Sequence, residues 1–308
     1  ITFSGETATP IIEGEKIIAS LLKRVRAHKS VELQFEKEVL SFEVEGNYSK
    51  IQLEGGETLL AKLVVSAEGR QSKLREISGI KTIGWSYHQV GIVVHVKHDL
   101  PHEAVAIQHF LPSGPFAILP LLENRSCVTW TENEKEAKRI LALDEAGFIV
   151  ELEKRFGTRL GNIRLDSKRK SWPLSLQLAR SYVADRFALI GDSAHAVHPI
   201  AGQGLNLAFR DSAALAEVLI EALRLGVDFG NRDTLNRYER WRRFDSTTST
   251  LFYDVLNRLF STDNQLVRMV RDLGLSVIDR LPSIKQLFVD EAAGLTGKVP
   301  RLLKGSSI

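Results

Sequence analysis

The stretch FALIGDSAHAVHPIAGQGLNLAFRDSAALAEVLIEAL, residues 187–223, decides the fold. Its apolar run at 187–190 predicts a short buried strand, and the helical spacing that follows predicts a helix over about 204–225. The sequence predicts that the buried stripe of this helix consists of Leu205, Ala208, Phe209, Ser212, Leu215, Ala216, Leu219 and Leu223. A strand, a glycine-bearing loop and a helix in this order are typical of an α/β ligand-binding fold.

The loop between that strand and helix has the chemistry of a ligand site. Gly191 lets a ligand approach the strand end closely, and the Asp192 carboxylate can accept hydrogen bonds from sugar hydroxyls. Gly202 and Gly204 leave the amides at the helix N-terminus without side chains in front of them. Because this end carries the positive pole of the helix dipole, it suits an anionic group. Asp192 alone is explained equally well as a turn residue or an N-cap.

Composition narrows the class of protein. The chain has 308 residues, of which 44% are hydrophobic and 26% charged, as in a globular protein with a core. The net charge of +3 gives no indication of nucleic-acid binding. A single cysteine, Cys127, excludes an intramolecular disulfide and a thiolate metal cluster, and fits a reducing compartment. No apolar run approaches the roughly 20 residues of a membrane-spanning helix.

Hydrophobic periodicity predicts the remaining elements. Before residue 80 it indicates a helix at 17–25 and a small meander of strands at 31–35, 39–44 and 49–53. A buried strand at 62–67 and a short helix at 72–77 follow. Between Trp85 and Trp130 it indicates antiparallel strands at 91–96, 104–111, 116–122 and 126–131. Helices at 134–142 and 145–156, a strand at 164–172, and helical segments over 234–289 with breaks near Ser261 and Pro282 complete the prediction.

This order predicts an α/β protein with an α+β insert. A partial Rossmann-like domain, 1–80 and 181–226, is interrupted by an antiparallel β-sheet domain at 81–180, which is expected to bind substrate. A C-terminal helical tail at 227–308 follows.

Two motifs carry a family resemblance. The run Gly-Asp-Ser-Ala-His-x-x-His-Pro-x-x-Gly-Gln-Gly-x-Asn at 191–206 resembles the second FAD motif of the para-hydroxybenzoate hydroxylase-like flavoprotein monooxygenases. The segment 64–75 resembles the Asp-Gly motif of that group, with Glu68 in place of the usual Asp and Ser66 in place of the usual Gly. The resemblance narrows to the ubiquinone-biosynthesis hydroxylases over about 12–295, through Phe116-Ala117-Ile118-Leu119-Pro120-Leu121, Ala201-Gly202-Gln203-Gly204, Tyr238-Glu239-Arg240 and Leu273-Gly274-Leu275.

The resemblance implies an FAD-dependent monooxygenase that hydroxylates a polyprenylated phenol for ubiquinone synthesis, using NAD(P)H and O₂. FAD supplies the chemistry, so no catalytic side chain is expected. The implied cofactor-binding residues are Glu68, Gly69, Arg75, Gly191, Asp192, Pro199, Gly202, Gln203, Gly204, Leu205 and Asn206. For Arg75 the implied role is contact with a phosphate or bracing of the loop. The inserted sheet is the expected wall of the substrate site, with core packing as the alternative for each of Phe110, Phe116, Ile118 and Leu119.

The resemblance also implies a location and partners. We expect a cytoplasmic protein, peripheral to the inner membrane, that contacts the membrane or a biosynthetic complex and binds no nucleic acid. Arginines beside Trp241, at 237, 240, 242 and 243, are either a solvated helix face or a contact for an anionic surface. His195 and His198 have the i, i+3 spacing of metal ligands, but no carboxylate or second histidine pair supports a metal, so a role within the loop is preferred.

The Gly-x-Gly-x-x-Gly unit that holds the FAD pyrophosphate in these enzymes does not occur in the chain. The resemblance therefore implies that this ADP-binding unit precedes Ile1, and that the 308 residues alone bind FAD weakly or not at all and are inactive. Two alternatives remain open. One is a related prenyl-chain reductase, and the other is a flavin-free or FAD-poor family member with a scaffolding role.

Overall fold

The computed structural model describes residues 11–199, 202–260 and 297–308. Its helices are α1 (Gly14–Arg26), α2 (Lys73–Ile77), α3 (Glu134–Leu141), α4 (Glu145–Phe156), α5 (Gly204–Arg224) and α6 (Arg232–Phe260). Its strands are β1 (Val39–Glu45), β2 (Tyr48–Leu53), β3 (Thr58–Ala61), β4 (Val64–Ser66), β5 (Thr82–His98), β6 (Ile107–Leu111), β7 (Gly114–Pro120), β8 (Arg125–Asn133), β9 (Ile163–Leu165), β10 (Lys170–Ala179), β11 (Val183–Ala184), β12 (Phe187–Leu189) and β13 (His195–Ala196). Short 3-10 turns lie at Gly191–Ser193 and Arg301–Lys304.

The chain forms two compact units, each made from separate stretches of sequence. The first unit contains the described residues of Ile1–Leu33, Ser86–Leu174 and Leu256–Lys285. The second contains those of Gln34–Trp85, Ser175–Val255 and Gln286–Ile308. Within the described ranges, no helix has the length and hydropathy needed to span a membrane.

The first unit is built on an antiparallel sheet. β5 pairs with β8, β8 with β7, and β7 with β6, all antiparallel, and β9 also pairs with β5. One core joins this sheet to α3 and α4, and Trp130 lies edge-on to Phe116 within it, with ring centroids 6.0 Å apart. The predicted antiparallel pairing of this segment is therefore confirmed. Phe116 and Ile118 are 0% and 2% exposed in this core, so packing explains them, whereas Phe110 is 40% exposed.

The second unit contains the Rossmann-like part of the fold. β12 pairs in parallel with β4, with Leu189 opposite Ser66, and β11 pairs antiparallel with β12. Residues of α5 and α6, among them Leu215 and Tyr238, share a core with these strands. The meander β1-β2-β3 is antiparallel throughout. Because β4 and β12 are parallel, their carboxyl ends lie at the same edge, which confirms the predicted α/β class and places both motifs together.

Three local predictions need correction or fall outside the structure. Residues 31–35 form no strand, because their alternating side chains have no paired strand to cover them and Phe35 is 59% exposed. The single strand predicted at 164–172 is two strands, β9 and β10. The predicted breaks near Ser261 and Pro282, and the run Leu273-Gly274-Leu275, lie outside the described residues.

The buried face of α5 also differs from the predicted stripe. Of the residues predicted to be buried, only Leu215 is fully so, while Leu205, Phe209 and Leu223 are exposed. Apolar residues occur on both faces of this helix, so the face with fewer charged residues was predicted to be buried. Asp211 is nevertheless buried, because the fold supplies partners for its charge. The buried residues of α5 are Leu207, Arg210, Asp211, Ala213, Ala214, Leu215, Glu217, Val218 and Ala222.

Candidate functional site

The candidate site lies in the second unit, where β4 and β12 end side by side. The Ile190 amide donates to the Ser66 carbonyl at 3.0 Å and continues the parallel pairing one residue beyond β12. Ser193 Oγ donates to the Gly69 carbonyl at 3.2 Å. The two motifs that the sequence presents separately, at Glu68-Gly69 and at Gly191-Asp192, are therefore neighbouring turns at one sheet edge.

The turn that presents Asp192 requires glycine at its first position. Gly191 has a φ of +61°, and a Cβ added there would lie 3.0 Å from Ala208 Cβ on α5. Any other residue would meet both a conformational and a steric penalty. The turn closes through the Ala194 amide, which donates to the Gly191 carbonyl at 2.8 Å. Asp192, between these two residues, is exposed.

The N-terminus of α5 faces this turn without an acidic side chain of its own. The helix begins at Gly204, its N-cap Gln203 makes no capping hydrogen bond, and its first turn contains no carboxylate. Gly202 has a φ of +64° and open space where a Cβ would be, and the Cβ position of Gly204 lies 4.0 Å from Asp192 Oδ1. An open glycine cradle at a helix dipole, next to a carboxylate that accepts hydrogen bonds, fits the anionic and hydroxyl-bearing parts of a flavin dinucleotide.

The other implied contact residues differ in exposure. Pro199, Leu205 and Asn206 are exposed, whereas Gln203 is buried and accepts a hydrogen bond from Asn206 Nδ2 at 3.1 Å. Desolvation by neighbouring protein atoms raises the pKa of the Asp192 carboxyl, and the charges of nearby basic side chains oppose that rise. The exposed members therefore present backbone and one carboxylate, rather than a set of ionised side chains, to a ligand.

Glu68 caps the N-terminus of α2. Its Oε2 accepts hydrogen bonds from Ser72 Oγ at 2.6 Å and from the Leu74 amide at 2.9 Å. Ser72 Oγ in turn accepts from the Arg75 amide at 3.0 Å. Two side chains thus satisfy amides at the start of this five-residue helix.

Arg75 is buried and braces the two turns against each other. Its Nη1 donates to the Ser193 carbonyl and its Nη2 to the Arg70 carbonyl, each at 3.0 Å. One guanidinium therefore joins the loop after β4 to the loop after β12. Of the two roles implied for Arg75, this geometry is that of loop bracing.

A buried network surrounds Asp211 and was not predicted from the sequence. Asp211 Oδ2 accepts from the Gly191 amide at 2.9 Å and from His195 Nε2 at 2.7 Å. Its Oδ1 accepts from Arg242 Nε at 2.7 Å. The side chains of Asp211, His195 and Arg242 are at most 1% exposed. The available signal was the charged pair Arg210-Asp211 in the middle of an otherwise apolar part of the helix.

The charges of this network stabilise one another. Burial alone would raise the pKa of Asp211, but His195 and Arg242 outweigh it and hold this pKa below its usual value. Because a carboxylate only accepts hydrogen bonds, His195 Nε2 carries the hydrogen that it shares with Asp211. Arg242 Nη1 also donates to Asp245 Oδ2 at 2.7 Å. Arg242 therefore does not belong to a solvated arginine face or to an exposed contact surface beside Trp241.

The two histidines of the motif are both buried. His195 bonds to Asp211, and its ring centroid lies 5.7 Å from that of Tyr182. His198 is 1% exposed, and burial lowers its pKa to about 4. Over the ranges that the structure describes, no group of three or more His, Cys, Asp or Glu side chains is arranged to hold a metal ion.

Comparison with known proteins agrees with this geometry. Residues 6–247 match the family model described as an FAD binding domain. The chain is 30% identical to the 3-demethoxyubiquinol 3-hydroxylase of Escherichia coli over 92% of its own length and 73% of that protein. The chain belongs to the FAD-dependent ubiquinone-biosynthesis hydroxylase family. Another relative, the ubiquinone hydroxylase UbiL of Rhodospirillum rubrum, is 45% identical over 82% of this chain.

The fold of this hydroxylase family member also matches solved structures. The p-nitrophenol 4-monooxygenase PnpA of Pseudomonas putida superposes with a TM-score of 0.75 over 92% of this chain and 72% of that one, at 20% identity, which establishes a shared fold. The chain spans 60% of the length of the R. rubrum hydroxylase and 66% of a Synechocystis relative, slr1300.

The buried His198 predicts an acid-sensitive stability. Its pKa falls from 6.5 to about 4 on folding, so in this range the unfolded chain binds a proton that the folded chain does not. The free energy of unfolding should therefore decrease as the pH falls from about 6.5 to about 4, by roughly 3 kcal/mol in total. We expect His198→Gln to flatten that segment of a urea-unfolding pH profile. His88→Gln, at a side chain 82% exposed, is the control, and an unchanged slope in the His198 variant would contradict the prediction.

Proposed function

We propose that this protein hydroxylates the aromatic ring of a polyprenylated phenol during ubiquinone synthesis, with FAD as cofactor and NAD(P)H and O₂ as co-substrates. The observation that carries the proposal is the Asp192 turn beside the open N-terminus of α5. Relatives named for ubiquinone biosynthesis support the reaction class, among them the monooxygenase COQ6 of Xenopus tropicalis, which is 30% identical over 90% of this chain and 69% of its own.

The residues of the turn and cradle have distinct proposed roles. Asp192 accepts hydrogen bonds from ribityl or ribose hydroxyls, and Gly191 allows the close approach that this needs. The cradle backbone and the α5 dipole would stabilise negative charge on the pyrimidine ring of bound flavin, and Pro199 would shape the loop beside that ring. Bound FAD supplies the reductive activation of O₂, while the protein holds it, orients the phenol and excludes water. The residues of the cradle are Gly202, Gln203, Gly204, Leu205 and Asn206.

Three further residues are proposed to support this surface from its protein side: Glu68, Gly69 and Arg75. Glu68 and Arg75 fix the loop after β4, and the Gly69 carbonyl accepts a hydrogen bond from the Ser193 hydroxyl. The presence of Glu68, where the family usually has Asp, has an explanation in helix capping. This capping role needs no flavin, so the flavin content of the purified protein decides the flavin-free scaffolding alternative.

Labelled oxygen tests the reaction. The protein expressed from its complete gene is incubated with FAD, NADH or NADPH, a short-chain prenylphenol and ¹⁸O₂, and the product is examined by mass spectrometry. We expect one labelled oxygen atom in the ring, because O₂ is the proposed source of the hydroxyl. A product with a reduced prenyl chain and no label would instead identify a reductase, and absence of both flavin and product would favour a scaffold.

Flavin affinity tests the site. In the protein expressed from its complete gene, Asp192→Ala removes an exposed acceptor without altering the core. We therefore expect FAD affinity to fall about ten-fold while thermal stability without flavin stays near the wild-type value. Asp185→Ala is the matched control, because the Asp185 side chain is 67% exposed and precedes β12 rather than following it. Equal FAD affinity in Asp192→Ala and wild type would refute the assignment.

The substrate class also suggests a location. We propose that the protein works at the cytoplasmic surface of the inner membrane, because a polyprenylated phenol partitions into lipid. Co-sedimentation with phospholipid vesicles containing a prenylphenol measures the proposed association, and we expect the protein to pellet with them. Protein that remains in the supernatant at every lipid concentration would count against it.

A further inference from the structure

The exposed Asp192 is held in place from both sides by buried side chains. On one side, the preceding Gly191 amide donates to Asp211 Oδ2 at 2.9 Å. On the other side, the following Ser193 carbonyl accepts from Arg75 Nη1 at 3.0 Å. Both contacts act on the backbone of the turn, so neither occupies the Asp192 carboxylate.

The contact with Asp211 also sets the position of the turn relative to α5. Asp211 lies on the same helix whose first residue is Gly204, so its carboxylate joins the turn to the element that forms the cradle. The Cβ position of Gly204 lies 4.0 Å from Asp192 Oδ1, so a shift of the turn changes the width of the cradle. Only a glycine at position 191 fits this close to Ala208 on α5, and the hydrogen bond from its amide to Asp211 limits how far the turn can move away from the helix.

Asp211 is itself held in a fixed orientation. Arg242, on α6, donates to Oδ1, and His195 donates to the same Oδ2 that receives the Gly191 amide. The side chain is fully buried, so its hydrogen bonds lie in a low-dielectric environment where they are strong. An acceptor fixed in this way can transmit its position to the backbone amide that it binds.

We propose that Asp211 is a positioning residue for the flavin site, which orients Asp192 through the Gly191 amide and keeps the turn at a fixed distance from the N-terminus of α5. This inference rests on the proposed flavin function. It assigns to a buried residue outside the cofactor surface a role in cofactor affinity and geometry, beyond its role in the stability of the core.

Substitution of Asp211 by Asn in the protein expressed from its complete gene tests the proposal. Asp211→Asn keeps the size of the side chain but replaces one acceptor oxygen by an NH₂ group. Because Arg242 is always charged, it takes the remaining oxygen, and the NH₂ group then faces the Gly191 amide and displaces the turn. We expect FAD affinity, measured by flavin fluorescence, to fall about ten-fold, with a changed visible circular dichroism spectrum of the flavin that remains bound.

A matched control separates positioning from stability. Asp228→Asn breaks the ion pair with the buried Arg186, which lies before β12, at the opposite end from the site. We expect this variant to lower the thermal midpoint while FAD affinity and the flavin spectrum stay at wild-type values. If both variants lose affinity in proportion to stability, Asp211 is merely structural and the proposal fails.

A second variant covers the case in which Asp211→Asn does not fold. Arg242→Lys keeps the positive charge next to Asp211 but removes the Nε group that orients Oδ1, and it lies on α6, away from the cofactor surface. We expect a smaller loss of FAD affinity, about three-fold, with the same change in the flavin spectrum. Wild-type affinity and spectrum in folded Arg242→Lys would overturn the proposal. Wild-type protein that binds no FAD would instead refute the proposed function.

Discussion

The buried carboxylate of Asp211 is the interaction on which the second unit depends. It accepts hydrogen bonds from a loop amide, from His195 and from Arg242, and so joins the end of β12 to two long helices. Removing an ion pair from water is costly, and the cost is offset here by hydrogen bonds to both oxygens of the carboxylate. Loss of one partner from such a buried pair typically destabilises a protein by about 3–5 kcal/mol. The core therefore tolerates these charges only as a complete set.

This constraint explains why the ligand surface can be open. Asp192, Gly202 and Gly204 contribute little packing, since Asp192 is exposed and the two glycines lack side chains. The position of the Asp192 turn is fixed by buried side chains: Asp211 accepts a hydrogen bond from the Gly191 amide, and Arg75 donates one to the Ser193 carbonyl. Backbone groups fixed in this way can meet a ligand without reorganising, which is the usual requirement for a preorganised site.

Much of the fold was predictable because local patterns and tertiary packing agree. The alternation at 91–96 and 126–131 predicted strands that pair in the antiparallel sheet, and the glycine motif predicted both the strand end and the start of α5. The failures share a cause, which is dependence on distant parts of the chain. At 31–35 the alternation had no partner strand, and in α5 the burial of Asp211 depends on Arg242 thirty-one residues later. The helix-capping contacts of Glu68 were also not predictable, because they depend on the path of the loop.

Asp192 and Asp211 lie close together in the structure, but selection acts on them for different reasons: ligand binding at the first and stability of the fold at the second. Asp192 is exposed, so under the proposed flavin function a mutation there is opposed by loss of flavin binding rather than by loss of stability. Asp211 is buried within the core, so mutation there is opposed by the stability of the fold even when no ligand binds. In a descendant that no longer binds flavin, we therefore expect substitutions to accumulate at position 192 while Asp211 is retained. Comparing the residues at positions 192 and 211 among related proteins would therefore distinguish those that still bind flavin from those that do not.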